Sequence, residues 1–297
     1  MGDIIFMSDR RNNFLLPVGL HCSGKSTFIA ALTSLVNKND ALDFLDDESH
    51  EYCQSLYDRY LDGKPVEHTS FHTKQIIKFS IGQHIKISIL DSAGENFNQF
   101  WNNRVWDQYF DNIITNSCGI LLFINPETVL QPVRVNEVFD IFTRCCENQT
   151  RFKTLNFYNN IETNRVSWDQ NNVPTQVKLV DILQFIAEHN KKQHKLAIII
   201  SAWDIVWKRN KHRISPVLWL HRHLPLLFQF AYANYDLKKN FRVYGVSQQG
   251  GEYIEGNYEL FQDLDQSTRI ILFEQNANQC CEDVNKSIIE IFKWLIT

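Results

Sequence analysis

The stretch that decides the fold is GLHCSGKS, residues 19–26, which fits the pattern G-x-x-x-x-G-K-[ST] in full. An apolar run, NFLLPV (13–18), precedes it, and a segment with apolar residues at helical spacing follows it. A strand, a glycine loop and a helix in this order present backbone N–H groups and the positive end of a helix to an anion. The sequence therefore predicts a phosphate-binding loop.

The positions of this loop have separate chemical roles. Lys25 is expected to reach the β- and γ-phosphates of a nucleotide, and the Ser26 hydroxyl is expected to bind Mg²⁺. His21, inside the loop, is interpreted as a spacer rather than a catalyst. The residues predicted to line the nucleotide phosphates are Gly19, Cys22, Ser23, Gly24, Lys25, Ser26 and Thr27.

A second motif, DSAGE (91–95), follows the apolar segment IKISIL. Asp91, at the end of a strand, can hold Mg²⁺ through water, and the backbone N–H of Gly94 can contact a γ-phosphate, which makes this loop a switch. Glu95 stands where hydrolases of this type position the attacking water, and the alternatives of orienting water, acting as a base or being a surface residue stay open. Lys25, Thr69, Gly94 and Glu95 are the candidate catalytic residues.

A threonine that binds Mg²⁺ and senses the γ-phosphate is expected between the first helix and Asp91. Thr69 and Thr73 both qualify, and Thr69, in PVEHTS, is the preferred candidate. The predicted magnesium ligands are therefore Ser26 and Thr69, which would bind the ion directly, and Asp91, which would bind it through water.

A third motif, SAWD (201–204), follows the apolar segment LAIII and stands where GTPases carry [NT]-K-x-D. Asp204 is in register to accept two N–H bonds from guanine. Ala202 replaces the usual lysine, so Trp203 or Trp207 could stack on the base instead, with core packing as the alternative for Trp203. Ser247 and Gln248, in GVSQQGG, are predicted to contact the guanine oxygen.

The order GLHCSGKS, DSAGE, SAWD and GVSQQGG resembles the TRAFAC class of P-loop GTPases, and especially the bacterial double-GTPase group. The ending KWLIT (293–297) also fits that group. The resemblance implies GTP and GDP as ligands, Mg²⁺ as cofactor, and hydrolysis of GTP to GDP and phosphate as a molecular switch. It also implies a protein partner, either a second GTPase or an effector, in a bacterial conflict, antiviral defence or signalling system.

Two other functions stay open. Glu95, where glutamine is usual, and the degenerate base loops allow a nucleotide-locked scaffold subunit that does not hydrolyse GTP. A P-loop kinase or ATPase is the less favoured alternative, because DSAG is a switch signature and the sequence shows no arginine-rich lid.

Strand-like segments alternate with helical ones along the chain, which predicts a mostly parallel sheet covered on both faces. We therefore expect one three-layer α/β domain of the P-loop NTPase, Ras-like GTPase type over residues 1–297, with about six strands. The extra length is assigned to an insertion at 127–173 and to a C-terminal extension at 252–297 that ends in a helix. Gly82 predicts a hairpin turn, and Ser215-Pro216 predicts the start of a long helix with a kink near Pro225.

The composition fits a globular protein, since 44% of the 297 residues are hydrophobic and 22% are charged. The net charge is −4, whereas nucleic-acid binders usually have an excess of basic residues. The charge therefore favours protein partners, and both homo- and hetero-oligomers stay open. The seven cysteines show no disulfide framework, and the apolar runs at 120–124 and 196–200 are far shorter than a membrane span. We therefore expect a cytoplasmic protein without a membrane anchor.

Overall fold

The computed structural model describes residues 12–36, 42–62, 64, 66, 74–132, 169–190, 194–211, 213–237, 239–250, 270–274 and 284–297. Thr69, Thr73 and most of the predicted insertion at 127–173 lie outside these residues, as does the first part of the predicted C-terminal extension.

The strands are β1 (Asn12–Val18), β2 (Leu42–Phe44), β3 (Lys74–Ile81), β4 (Ile85–Ser92), β5 (Ser117–Ile124), β6 (Lys195–Ile200), β7 (Phe241–Ser247) and β8 (Ile271–Phe273). The helices are α1 (Lys25–Val36), α2 (Asp47–Leu61), α3 (Gly94–Asn103), α4 (Gln108–Asn116), α5 (Thr175–His189), α6 (Trp203–Arg209), α7 (Pro216–His223), α8 (Pro225–Asn234) and α9 (Val284–Ile296). Short 3-10 turns occupy Pro126–Thr128 and Gln170–Asn172.

These strands form one sheet in the order β2-β3-β4-β1-β5-β6-β7-β8. β1 pairs in parallel with β4 and β5, and β5, β6 and β7 continue in parallel. β2, β3 and β8 are antiparallel to their neighbours at the two edges. The predicted mostly parallel α/β sheet is confirmed. Within the described residues it has eight strands rather than about six, because the three-residue strands β2 and β8 extend it at its two edges.

Helices cover both faces of the sheet, which explains why its central strands are apolar throughout. Neighbouring strand residues point to opposite faces, so that Leu15 belongs to one hydrophobic cluster and Leu16 to the other. One cluster joins the sheet to α3–α8, and Phe97 and Leu183 are among its members. The other joins it to α1, α2 and α9. There the ring of Phe292 lies 5.3 Å from that of Phe79 on β3.

The residues of the candidate site lie at or just after the carboxyl ends of β1, β4, β6 and β7. These strands are parallel, so their carboxyl ends lie at the same edge of the sheet. The loop after β1, the end of β4, the loop after β6 and the loop after β7 therefore meet at one edge. The predicted hairpin between β3 and β4 is confirmed, with Gly82 in its turn.

The predicted long helix from residue 215 is instead two helices, α7 and α8. Leu224 leaves the helical region with φ −132° and ψ 59°, and Pro225 begins the second helix. A proline offers no N–H and its ring collides with the carbonyl four residues earlier, so the first helix ends before it. In the described part of the chain, no helix is long and apolar enough to cross a membrane.

Candidate functional site

The phosphate loop turns sharply between β1 and α1, and Lys25 is the first residue of α1. Cys22 and Gly24 both adopt positive φ, at 56° and 93°, which lets the loop close on itself. The Lys25 ammonium lies inside this turn, where Nζ donates to the Gly19 carbonyl oxygen at 2.8 Å and to Ser23 Oγ at 3.2 Å. The loop thus has the shape that the sequence predicts, with its lysine held over it.

Burial lowers the pKa of Lys25 to about 8. The nearby carboxylates of Asp91 and Glu95 act in the opposite direction and favour the charged form, but they do not offset the burial. A buried ammonium whose proton is held this weakly gains from a bound anion, as a nucleotide phosphate would be.

Asp91 lies at the end of β4 and is fully buried. Its Oδ1 accepts a hydrogen bond from Ser26 Oγ at 3.4 Å, and its Oδ2 accepts one from Tyr52 Oη at 2.8 Å. The structure therefore brings together two of the three residues that the sequence assigns to magnesium. A hydroxyl and a carboxylate are oxygen donors of the kind Mg²⁺ prefers, so this pair fits the ion.

The loop after β4 lies directly on the phosphate loop. A Cβ placed on Gly94 would come within 2.4 Å of the backbone of Leu20 and His21, so only glycine fits at this contact. One residue further on, Glu95 Oε1 lies 2.5 Å from His21 Nδ1. His21, interpreted from the sequence as a spacer, is in fact the partner of the candidate catalytic Glu95.

Two side chains that directly follow β5 and β6 donate hydrogen bonds to the backbone of the phosphate loop. Ser201 Oγ donates to the carbonyl oxygen of Ser23 at 2.7 Å and approaches that of Ile124 at 3.0 Å. Asn125 Nδ2 donates to the carbonyl oxygen of Cys22 at 3.0 Å. Asn125 received no role from the sequence, and no local pattern around it indicates this contact.

A buried carboxylate marks the other end of the site. Asp204, in the first turn of α6, is 5% exposed, and its Oδ2 has no hydrogen-bond partner among the described residues. Gln248 is equally buried and accepts from the backbone N–H of Ala202 at 3.3 Å, while its Nε2 and that of Gln249 lack partners in the same part of the chain. Unpaired buried polar groups are costly, so this cluster suits a ligand that supplies donors and acceptors.

Trp203 does not present its ring to a ligand. Its side chain is fully buried, it lies against Gly245 of β7, and its ring centroid is 6.0 Å from that of Phe273. The structure therefore gives Trp203 the core-packing role rather than base stacking, since no face of the indole is open. Trp207 is half-buried, and its ring centroid lies 4.5 Å from that of Phe273.

Of the remaining predicted site residues, Ser247 and Thr27 are described by the structure, and Thr69 is not. Ser247 is buried, and its Oγ accepts from the backbone N–H of Gly250 at 2.9 Å, which shapes the loop after β7. Thr27 is half-buried in the first turn of α1. The preferred switch residue Thr69 and its alternative Thr73 lie outside the described residues, so their roles stay predictions.

Helix α2 contributes two side chains that sequence reasoning missed. Tyr52 contacts Asp91, as described above, and Tyr60 Oη donates to the backbone oxygen of Gln248 at 2.7 Å. The helical spacing of Tyr52, Leu56 and Tyr60 can be seen in the sequence. However, no pattern near Tyr60 indicates its contact with Gln248, which is 188 residues away.

Comparison with known proteins places these features in a family. The family profile described as Double-GTPase 1 matches residues 16–291. Among curated proteins, no sequence matches this chain significantly.

Solved structures with a similar fold include sup35 complexed with GDP, at 13% identity and a TM-score of 0.33, with 84% of this chain and 41% of that chain covered. The S. cerevisiae Ski7 GTPase-like domain bound to GDP and inorganic phosphate matches at 15% identity and a TM-score of 0.38, with 86% and 51% covered. The same domain bound to GTP matches at 14% identity with the same TM-score and coverage. The chain spans about half the length of these structures.

Proposed function

Because the chain belongs to the Double-GTPase 1 family, we propose that it binds GTP and hydrolyses it to GDP and phosphate as a molecular switch. The observation that carries this proposal is the grouping of three features at one edge of the sheet. These are the phosphate loop with its buried Lys25, the Ser26–Asp91 pair, and the buried Asp204, whose Oδ2 has no hydrogen-bond partner among the described residues.

The phosphate loop would hold the nucleotide phosphates. Lys25 is already turned over the loop, and the backbone N–H groups of the loop and the N-terminus of α1 would be its further anion-binding groups. On binding, the Lys25 ammonium would exchange its carbonyl and hydroxyl partners for phosphate oxygens, a stronger charge-assisted contact.

Ser26 and Thr69 would bind Mg²⁺ directly, and Asp91 would support it from behind. When bound, the ion neutralises charge on the β- and γ-phosphates. The support for this role is the 3.4 Å contact between Ser26 Oγ and Asp91, which places a hydroxyl and a carboxylate at the end of β4. Thr69 is included from its sequence position alone.

Asp204 would recognise guanine. Its Oδ2 is a buried acceptor without a partner in the described part of the chain, and two N–H donors of a guanine edge would satisfy it, whereas an adenine edge would not. The loop that contains Ser247 and Gln248 would line the same base, and Gln248 Nε2, which has no partner within the described ranges, could donate to an oxygen of the base.

Hydrolysis would depend on the loop after β4. Gly94 lies against the phosphate loop, so its backbone is close to where a terminal phosphate would lie. Glu95 would orient the attacking water, a role that positioned polar side chains fill in this class of reaction. Positioning and charge stabilisation would account for most of the catalysis, because phosphoryl transfer needs little covalent chemistry from the protein.

The biological setting that we propose rests on family membership and charge. We propose a protein partner, a second GTPase or an effector, in a bacterial conflict, antiviral defence or signalling system. The acidic balance of the chain, −4, is compatible with such a partner. We also propose that the protein acts in the cytoplasm, where its free thiols Cys22, Cys53 and Cys118 stay reduced.

One observation favours a second candidate, a scaffold subunit that binds GTP without turnover. Glu95 Oε1 is in contact with His21 Nδ1, so one oxygen of the carboxylate already has a protein partner. If this pair persists in the nucleotide complex, the loop would hold GTP without orienting a nucleophile, and the bound nucleotide would serve assembly instead.

Two measurements test the proposal and separate it from the scaffold. The nucleotide that accompanies the purified protein is released and identified by chromatography, and phosphate release from Mg·GTP is then followed with and without a candidate partner. We expect guanine nucleotide and slow phosphate release that the partner accelerates. Bound GTP with no release under either condition supports the scaffold, and ATP bound as tightly as GTP contradicts both.

A further inference from the structure

Helix α2 carries two tyrosines on one stripe of its surface. Tyr52, Leu56 and Tyr60 are spaced four residues apart, so their side chains project from the same side of the helix. At the rise of an α-helix, the two tyrosines lie about 12 Å apart along the axis. That spacing matches a nucleotide-sized site with its phosphates at one end and its base at the other.

The two hydroxyls contact opposite ends of the proposed site. Tyr52 Oη donates to Asp91 Oδ2 at 2.8 Å, at the end where Ser26 is also found. Tyr60 Oη donates to the backbone oxygen of Gln248 at 2.7 Å, in the loop next to Asp204. One helix thus reaches both the metal end and the base end.

The helix is fixed in place on β3. Its N-cap Asp46 accepts from the backbone N–H of Ser49 at 2.9 Å and pairs with Lys78 Nζ at 3.0 Å. Ser49 Oγ in turn accepts from the backbone N–H of Lys78 at 2.9 Å. On the sheet side, Cys53 and Tyr57 pack into the hydrophobic cluster with α1. A helix anchored along its length can hold its tyrosines to a defined geometry.

Each hydroxyl donates a hydrogen bond to a group whose orientation matters for nucleotide binding, the Asp91 carboxyl group or the Gln248 backbone. Asp91 is fully buried, and a hydroxyl donor on Oδ2 fixes the plane of its carboxyl group. Tyr60 is 1% exposed, so its hydrogen bond to Gln248 is shielded from water and pins the backbone of the base loop. The Gln248 side chain accepts from Ala202, two residues before Asp204.

We propose that α2 clamps the nucleotide site at two points, with Tyr52 positioning Asp91 for Mg²⁺ and Tyr60 positioning the loop at 247–250 for guanine. This inference rests on the proposed function. Both tyrosines are positioning residues, because they act through Asp91 and through the base loop. A purely structural role for α2 would weaken every ligand alike, whereas the clamp predicts that each hydroxyl controls a different property.

The test uses the full chain and three hydroxyl deletions, Tyr52→Phe, Tyr60→Phe and the matched control Tyr57→Phe. Tyr57 lies on the same helix and, like Tyr60, is buried, whereas the two hydroxyl contacts are made by Tyr52 and Tyr60. Two ratios are measured for each protein, the affinity for GDP with Mg²⁺ relative to that in EDTA, and the affinity for GDP relative to ADP. Ratios of dissociation constants do not depend on the folded fraction, so a partly unfolded variant remains informative.

We expect Tyr52→Phe to reduce the Mg²⁺ enhancement about tenfold, as loss of a hydrogen bond to a charged group would, and to leave the GDP/ADP ratio unchanged. Tyr60→Phe is expected to reduce the GDP/ADP ratio about fivefold and to leave the Mg²⁺ enhancement unchanged. Tyr57→Phe should change neither ratio.

Three outcomes contradict the clamp, and two of them leave the proposed function intact. If the unmodified protein binds GDP with a clear Mg²⁺ enhancement and all three variants match it, the clamp is wrong and the GTP-binding function stands. If Tyr52→Phe and Tyr60→Phe each lower both ratios, the two hydroxyls do not control separate properties, which contradicts the clamp and leaves the function intact. A protein that binds neither GDP nor GTP overturns the function itself and the clamp with it.

Discussion

The imidazole Nδ1 of His21 lies 2.5 Å from Oε1 of Glu95, and this contact joins the phosphate loop to the loop that follows β4. Both side chains are nearly half exposed, at 45% and 43%. A polar contact this open to solvent contributes little to stability. Its importance lies instead in where it holds Glu95, next to the backbone contact between Gly94 and Leu20.

Glu95→Ala is expected to lower the rate of GTP hydrolysis at least about tenfold, because the variant removes the side chain that would orient water. Its affinity for GTP should stay within about threefold, since Glu95 makes no contact assigned to binding. Single-turnover phosphate release measures the first quantity and nucleotide titration the second. His21→Ala is the companion variant. If both variants lose activity equally, the pair only fixes the loop and Glu95 does not act on water.

Lys25→Ala is expected to abolish tight binding of Mg·GTP. The variant removes a buried ammonium that lies over the phosphate loop, so the phosphates lose their only charge-assisted partner from α1 among the described residues. Titration with a fluorescent GTP analogue measures the effect. Lys64→Ala, at an exposed lysine paired with Asp62, is the control and should bind normally. Unchanged affinity in Lys25→Ala would overturn the assignment of the site.

The stability of the nucleotide-free protein should rise with pH above about pH 8 because of Lys25. Its folded-state pKa is about 8 against an ordinary 10.5. Below pH 8 the lysine is charged in both states, and its contribution is constant. Between the two pKa values the unfolded chain keeps a proton that the folded chain has lost, so raising the pH favours the folded state.

Urea unfolding at about pH 7.5 and pH 9.5 tests this, with Lys25→Met as the reference. The unmodified protein should gain about 2 kcal/mol relative to the variant between these pH values. Other lysines, tyrosines and cysteines titrate in both proteins and cancel in the comparison. Parallel pH profiles for the two proteins would show that burial does not perturb Lys25.

Asp204→Asn is expected to shift base preference from guanine toward xanthine. The carboxylate accepts from guanine N–H groups, whereas an amide can donate to the second carbonyl oxygen that xanthine carries at the same place. Competition between GDP and XDP for the site measures the ratio, which should move by about tenfold or more. Asp43→Asn, at an exposed carboxylate in β2, is the control. A variant that keeps the preference of the unmodified protein would show that Asp204 does not contact the base.

Much of the fold could be predicted because its signals are local. The loop 19–26 specifies a strand before it and a helix after it, and the buried strands stand out as short apolar runs. The α7–α8 break shows the limit of such signals. A kink and a full break at Pro225 differ only in how the Leu224 backbone is accommodated by its neighbours, which no pattern within the segment determines.

The sequence by itself determined the α/β class, the phosphate loop with Lys25 and Ser26, and the order of the motifs along the chain. These follow from hydrophobic period and loop chemistry, which act over a few residues. The tertiary structure alone decided that His21 meets Glu95, that Tyr52 and Tyr60 reach Asp91 and Gln248, and that Trp203 is in the core. Such contacts join residues far apart in the chain, and they depend on strand order and helix packing, which are set only when the whole core is assembled.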